Sequence, residues 1–309
     1  MGSSGGGSFS GKSSAEISRM VRQEEEKSQD AQFETTVSEK LGDLLSTYND
    51  RDTKLVKERI DDVLKQIGKE TESRVEILFG GSISKHTYVN GLSDIDCLLL
   101  MDREELAGKP PKAIIEYVAN LLSEKLEKKA MVEPGMLAIT VKYGDGIEIQ
   151  FLPSFRAGDR FQIASPDGRS WSQINPEAFA KVLTDRNQKC NGKLIPTIKL
   201  AKAINDQLPE SNRLSGYHVE SLAAEAFKDY SGSTEPKEML KHFFSRAAEL
   251  VKEPIRDRTG QSVHVDEYLG ESNSPARQRI GHLLNRISKR MKNASAGRSI
   301  EQWLGLFGE

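Results

Sequence analysis

Residues 79–101 read FGGSISKHTYVNGLSDIDCLLLM, and this stretch constrains the chain more than any other. A short apolar run ends at Phe79 and passes into a Gly80-Gly81-Ser82 turn. Twelve residues past Ser82, Asp94 and Asp96 stand at the head of a second apolar run. Short Gly-Ser turns present backbone N–H groups and a hydroxyl to phosphate. Two aspartates two apart on a strand share one face, about 7 Å apart along it. Such a pair suits magnesium, a hard ion that takes oxygen ligands and keeps waters and substrate phosphates in its shell. Alone, an Asp-x-Asp reads most simply as a strand edge capped by solvated carboxylates. The upstream Gly81-Ser82 tips the reading toward a site for phosphate and metal together.

The pattern around this stretch is mixed. Val37, Leu41, Leu44, Leu45 and Tyr48 share one helical face, and Val56, Ile60, Val63, Leu64 and Ile67 share another. Asn49-Asp50-Arg51-Asp52 between them reads as a turn with an N-cap. Strands are expected at 75–79, 94–101, about 137–143 and 147–152, with Gly144-Asp145-Gly146 as a tight hairpin. An amphipathic helix is expected over 111–128. After about residue 190 the strand signal fades, and helices are expected at 194–206, 216–230, 236–251 and 275–293, with 254–274 a polar loop. The reading is therefore α+β: a tail over 1–14, a core with its N-terminal helices over 15–190, and a helical half over 191–309. Gly6 to Ser13 matches the phosphate-loop pattern, but no buried strand precedes it, so it reads as part of a Gly/Ser-rich tail.

Further candidates for the site lie downstream. Two metal ions about 4 Å apart stabilise both the attacking and the leaving oxygen of an in-line displacement. Such a site calls for a third acid from a neighbouring strand. In Ile147–Pro153, Glu148 and Gln150 point to one side, and only Glu148 can be an anionic ligand; the alternative is an exposed strand residue. Lys199 and Lys202 lie three apart on one helical face and can reach a triphosphate, or form a solvated face. Ser215-Gly216-Tyr217 opens the next helix, where a serine suits an anion and a tyrosine can stack on a base. Capping by Ser215 and core packing by Tyr217 fit the same residues. His86 and His218 lack a partner at zinc-ligand spacing.

Bulk properties narrow the classes. The chain has 309 residues, 37% hydrophobic and 29% charged, with a formal net charge of −2. That is a poor platform for tight nonspecific duplex binding. Only Cys97 and Cys190 are present, so no disulfide framework is available. No run is apolar enough to span a bilayer and no signal peptide is seen, so a cytoplasmic location is expected, without membrane or stable duplex nucleic acid as partner.

Together these residues resemble the polymerase-β-like nucleotidyltransferase superfamily. Within it the chain is similar to the bacterial cGAS/DncV-like nucleotidyltransferases, the oligonucleotide cyclases of CBASS anti-phage systems. Gly81-Ser82 followed by Ser93-Asp94-Ile95-Asp96 carries the resemblance. The Glu148–Pro153 strand, the Ile198–Lys202 helix, the Ser215–Glu220 helix start and the closing Glu301–Gly308 run support it. It implies a catalytic core on a mixed sheet facing a helical domain across a nucleotide cleft. By position, Asp94 and Asp96 would bind two magnesium or manganese ions, with Glu148 as third acid. Gly81, Ser82 and Lys202 would contact phosphate, with Lys199, Ser215 and Tyr217 as further nucleotide contacts. The implied activity couples nucleoside triphosphates, releases pyrophosphate and closes a cyclic product that acts on a separate effector; it leaves room for a regulatory protein partner. Two departures stand out: His86 occupies the place of a common Gly before Thr87, and Gln150 the place of a common third Asp. The rivals are a nucleotidyltransferase acting on an RNA end or a small molecule, and a nucleotide-binding sensor without chemistry.

Overall fold

A computed structural model describes residues 13–50, 52–70, 75–90, 92, 95–101, 109–158, 160–165, 168–260 and 262–309. Ser93 and Asp94 lie outside the described residues, as does all but Ser13 of the phosphate-loop-like segment. Ser13 itself caps a helix. Its hydroxyl accepts from the Glu16 N–H and Glu16 reaches back to the Ser13 N–H, a reciprocal capping box. That helix, α1, runs Ser14–Asn49. It starts about two dozen residues before the apolar face at Val37 begins, because its leading half is polar and exposed and leaves no periodicity to read. α2 follows at Thr53–Glu70, and Asp52 caps it by accepting from the Leu55 N–H at 2.8 Å.

The sheet has seven strands: β1 Glu76–Phe79, β2 Ile95–Leu100, β3 Ala130–Pro134, β4 Ile139–Tyr143, β5 Glu148–Ala157, β6 Arg160–Ala164 and β7 Trp171–Ile174. The order is β1-β2-β5-β4-β3, with β6 and β7 added to the far half of β5. Only β2 and β5 run parallel, so the sheet is mixed, as expected. β3, β6 and β7 were not expected from the sequence, where Ala130–Pro134, Arg160–Ala164 and Trp171–Ile174 carry at most three apolar residues each. The Gly-Ser turn after β1 closes as one helical turn, α3 Gly81–Ser84. α4 Pro111–Leu126 covers one sheet face together with α2, around Val63, Ile67, Val118, Leu122 and Phe151. None of the described helices is long and apolar enough to cross a membrane.

The second half is helical: α5 Pro176–Lys189, α6 Leu194–Asp206, α7 Gly216–Ala226, α8 Pro236–Leu250, α9 Pro275–Ala296 and α10 Ile300–Leu304. α7 stops four residues before the expected end, where the Phe227 backbone leaves the helical region. Packing divides the chain differently from the sequence. Phe33, Val37, Leu41 and Leu44 of α1 and Phe179 and Leu183 of α5 join the apolar cluster of the C-terminal helices, not that of the sheet. On the other sheet face Leu98, Leu100, Phe161, Ile163 and Ile174 form a third, smaller cluster.

Candidate active site

The site begins with one glycine. The Gly80 N–H donates to the Asp96 carbonyl at 2.9 Å, which draws the turn onto β2. Gly81 sits at φ +49°, in the left-handed region. A Cβ built there would lie 1.6 Å from Asp96 Oδ2 and 2.4 Å from its Cγ. Backbone conformation and space therefore both require glycine. The next residue, Ser82, is buried, and its Oγ has no hydrogen-bond partner among the described residues. A buried polar atom left unpaired costs about 1–3 kcal/mol, so this hydroxyl stands ready for a ligand.

Strand register places the acids. Asp96 lies directly across from Gln150 and Ile95 from Ile149. Asp96 and Leu98 thus share a face with Gln150 and Leu152. The position level with Asp96 is therefore the amide. Glu148 is one residue before the first β2–β5 pair and pairs instead with Lys142 of β4. Among the described residues no three acid, histidine or cysteine side chains converge on one metal-sized volume; Asp94 is not among them.

A cleft of about 240 Å³ opens beside Asp96. Gly81, Lys85 and Asp96 form one wall, Leu98, Leu152, Ile163 and Ile174 the floor, and Phe179, Tyr217 and Thr259 the opposite wall. Phe179 and Tyr217 meet edge to face at 5.0 Å. The Lys85 ammonium lies 5.3 Å and 5.1 Å from their ring centroids, within cation–π range.

Behind this wall lies a charged knot. Glu220 of α7 is 1% exposed, and its carboxylate meets Lys202 Nζ at 2.7 Å and Lys85 Nζ at 2.5 Å. The Thr87 hydroxyl also donates to it, and Lys202 donates on to the Thr87 carbonyl at 3.0 Å. Burial by itself would push the Glu220 pKa up; Lys85 and Lys202 outweigh it and hold the carboxyl below its ordinary value. Burial also pulls the Lys202 pKa down, and Glu220 only partly restores it.

The other expected contacts are sorted by this geometry. Lys199 does not line the cleft: its ammonium donates to Asn49 Oδ1 at 2.5 Å, at the end of α1. Residues 199 and 202 lie about 60° apart around the helix and nearly one turn apart along it, and Lys199 reaches Asn49 while Lys202 reaches Glu220. Lys202 is on the site side, held by Glu220. Ser215 caps α7, its hydroxyl accepting from the His218 N–H at 3.2 Å. Tyr217 is in the cleft wall, and its hydroxyl donates to Asp257 at 2.7 Å. Lys85, Thr87, Glu220 and Phe179 were not singled out as site residues. A buried Glu within an otherwise apolar helix turn was the one available signal, and it does not reveal its partner.

Comparison with known proteins agrees with this architecture. Residues 31–187 match the model of the Second Messenger Oligonucleotide or Dinucleotide Synthetase domain. No curated protein sequence matches the chain. Among solved structures, the CD-NTase CdnG of Bradyrhizobium diazoefficiens in complex with GTP is similar at TM-score 0.68 and 16% identity, covering 87% of this chain and 94% of that one. CdnC of Escherichia coli MS115-1, in its HORMA-deltaN complex, is similar at TM-score 0.65 and 17% identity, over 84% and 90%. The cyclic AMP-GMP synthase DncV of Vibrio cholerae is similar at TM-score 0.58 and 12% identity, over 96% and 90%. A glycine cradle over Asp96, a mixed sheet and a facing helical body are thus joined to a domain match over half the chain. The protein belongs to the second messenger oligonucleotide or dinucleotide synthetase family of nucleotidyltransferases.

Proposed function

We propose that the chain joins nucleoside triphosphates into a cyclic oligonucleotide, releasing pyrophosphate, as a signal in anti-phage defence. The observation that carries this reading is the Asp96 carboxylate lying in the space a Gly81 side chain would fill, next to the buried Ser82 hydroxyl, unpaired among the described residues. A carboxylate and a phosphate cradle are thereby held in contact. The donor set is all oxygen, which fits magnesium or manganese. Asp96 and Asp94 would hold the ions, with Glu148 the available third acid. Bound there, divalent metal neutralises charge on the phosphates and on the departing pyrophosphate. The chain's own part is to bind and orient. The Gly81 and Ser82 backbone and hydroxyl take phosphate oxygens. The apolar floor and the Phe179/Tyr217 wall exclude water and seat a base. Lys85 and Lys202 supply positive charge beside the phosphates. Nucleotides as substrates are supported by the similarity to CdnG solved with GTP and to DncV, a cyclic AMP-GMP synthase. A regulatory protein partner is supported by the similarity to CdnC, solved in a HORMA-deltaN complex.

Incubation with each labelled nucleoside triphosphate and Mg²⁺ or Mn²⁺, followed by mass spectrometry, tests this reading. The wild type is expected to yield pyrophosphate and a nuclease-resistant cyclic product, and Asp96→Asn to lose at least about a hundredfold in rate. Equal turnover by the variant would sink the proposal. One observation favours a second reading, a nucleotide sensor without chemistry: the neutral Gln150 stands level with Asp96. Tight binding of a nonhydrolysable nucleotide, with no turnover under any metal or protein activator, would select it.

A further inference from the structure

A second pocket, of about 580 Å³, shares Thr259 with the cleft. Its charge comes from Arg160 at the head of β6 and from Arg256 and Arg258 in the segment between α8 and α9. Asp257, between the two arginines, forms no ion pair with either among the described residues; neutral donors occupy its carboxylate. It accepts from the Tyr217 hydroxyl at 2.7 Å and from the Thr259 N–H and hydroxyl, both at 2.8 Å. It also accepts from the Ser262 N–H and hydroxyl, both at 3.1 Å. Arg258 is paired with Glu225. Arg160 reaches the neutral amide oxygen of Gln173 at 3.5 Å. Among the described residues neither Arg160 nor Arg256 has a carboxylate partner, and both are exposed. The segment is nonetheless fixed: the Asn175 N–H donates to the Thr259 carbonyl at 2.9 Å, and Arg256 bridges to His264.

Two guanidinium groups without an ion-pair partner among the described residues, with a third beside them, therefore face one pocket and outnumber its single carboxylate, in a chain whose net charge is −2. A guanidinium is a planar fork of donors that matches phosphate oxygens two at a time. We infer that this pocket is a polyphosphate site. The ligand is a condensed phosphate chain, either the tail of a nucleotide whose base lies in the adjoining cleft or a free polyphosphate. The first source rests on the reading of that cleft as a nucleotide site; the anion chemistry does not. Asp257 ties the pocket to the cleft, since the carboxylate that spaces Arg256 and Arg258 also anchors the Tyr217 hydroxyl.

Calorimetric titration of the full chain with inorganic tripolyphosphate, at low ionic strength and without divalent metal, tests the inference. Leaving out the metal and reading binding rather than turnover separates this result from the catalytic proposal. Arg160→Gln/Arg256→Gln is expected to weaken binding at least about tenfold, since two charge-assisted forks onto phosphate are lost. Arg160→Lys/Arg256→Lys is expected to recover part of the loss, which a misfolded pocket would not. ATP binding tighter than tripolyphosphate assigns a nucleotide tail, and equal binding assigns a free polyphosphate. Wild-type affinity in the Gln double variant, or no binding by the wild type at millimolar tripolyphosphate, overturns the inference.

Discussion

His86 shows how a single departure from a family pattern is accommodated. Its φ is +59°, in the left-handed region that favours glycine. The position demands that conformation because the chain must reverse between the α3 turn and Thr87, whose N–H returns to the Ser82 carbonyl at 2.8 Å. A non-glycine residue there costs about 1–2 kcal/mol, and glycine returns about 0.5–1 of that as unfolded-state entropy. His86→Gly is therefore expected to raise stability by about 0.5–1 kcal/mol, read as a higher urea midpoint with an unchanged m-value. An unchanged or lower midpoint would mean that the imidazole makes up the cost elsewhere. The cradle glycine and the Asp-x-Asp were legible in the sequence as residue types. That Asp96 fills the space at Gly81 was not, since the contact spans two strands.

At the scale of elements, the segment between α8 and α9 is held by a buried side chain rather than by secondary structure. Arg277 of α9 is fully buried and donates to the Asp266 carboxylate at 2.7 Å and to the carbonyls of Gly270, Val251 and Asp266 at 2.9 to 3.1 Å. His218 packs beside Asp266, with Nδ1 2.8 Å from the Tyr268 hydroxyl. Burial pushes the His218 pKa down; Asp266 pulls it back only in part, and Arg277 adds to the fall. The folded state therefore keeps His218 neutral at a pH where the unfolded chain binds a proton. With a lowered folded pKa, the unfolded state binds more protons, so stability rises with pH and is lost as pH falls from about 6.5 toward the folded value. Between pH 7 and pH 5 the loss is expected to be about 2 kcal/mol, and His218→Gln to flatten that slope in urea titrations. A wild-type slope retained in the variant would place the proton uptake elsewhere. The sequence marks 254–274 as loop because it lacks periodicity, and nothing in it marks Arg277 as inward. Charged residues are buried only when paired, and the pairing here is tertiary.

Across the whole molecule, the sheet half and the helical body are joined by the Glu220–Lys202–Lys85 knot. Lys85 belongs to the α3 turn and Glu220 to α7, so the contact fixes the cleft wall against the wall that faces it. Removing the carboxylate leaves two buried ammonium groups without a partner. Glu220→Gln is expected to destabilise by about 3–5 kcal/mol in urea unfolding. Adding Lys202→Met to it should cost less than the sum of the two single changes, because the two residues share one interaction. Additive costs would show that the knot is not a unit. Its depressed Glu220 pKa places this stability above the ordinary carboxylate range, to be lost as pH falls through it.

The sequence by itself determined the chemistry available and the class of fold. Gly81, Ser82, Asp96 and Glu148 sit in local patterns whose meaning depends only on spacing along the chain, and the strand and helix periods of α2, α4, β2 and β5 are local as well. Tertiary structure decided which of these residues share a site. The parallel pairing of β2 with β5 put Gln150 rather than Glu148 level with Asp96. Place around and along the helix sent Lys199 to Asn49 and Lys202 to Glu220. The fold of α1 against the C-terminal helices, rather than the sheet, reset the division of the chain. The physical reason is common to all three: register, rotation and docking are fixed by burial between segments far apart in sequence, and no periodicity within one segment records its partner.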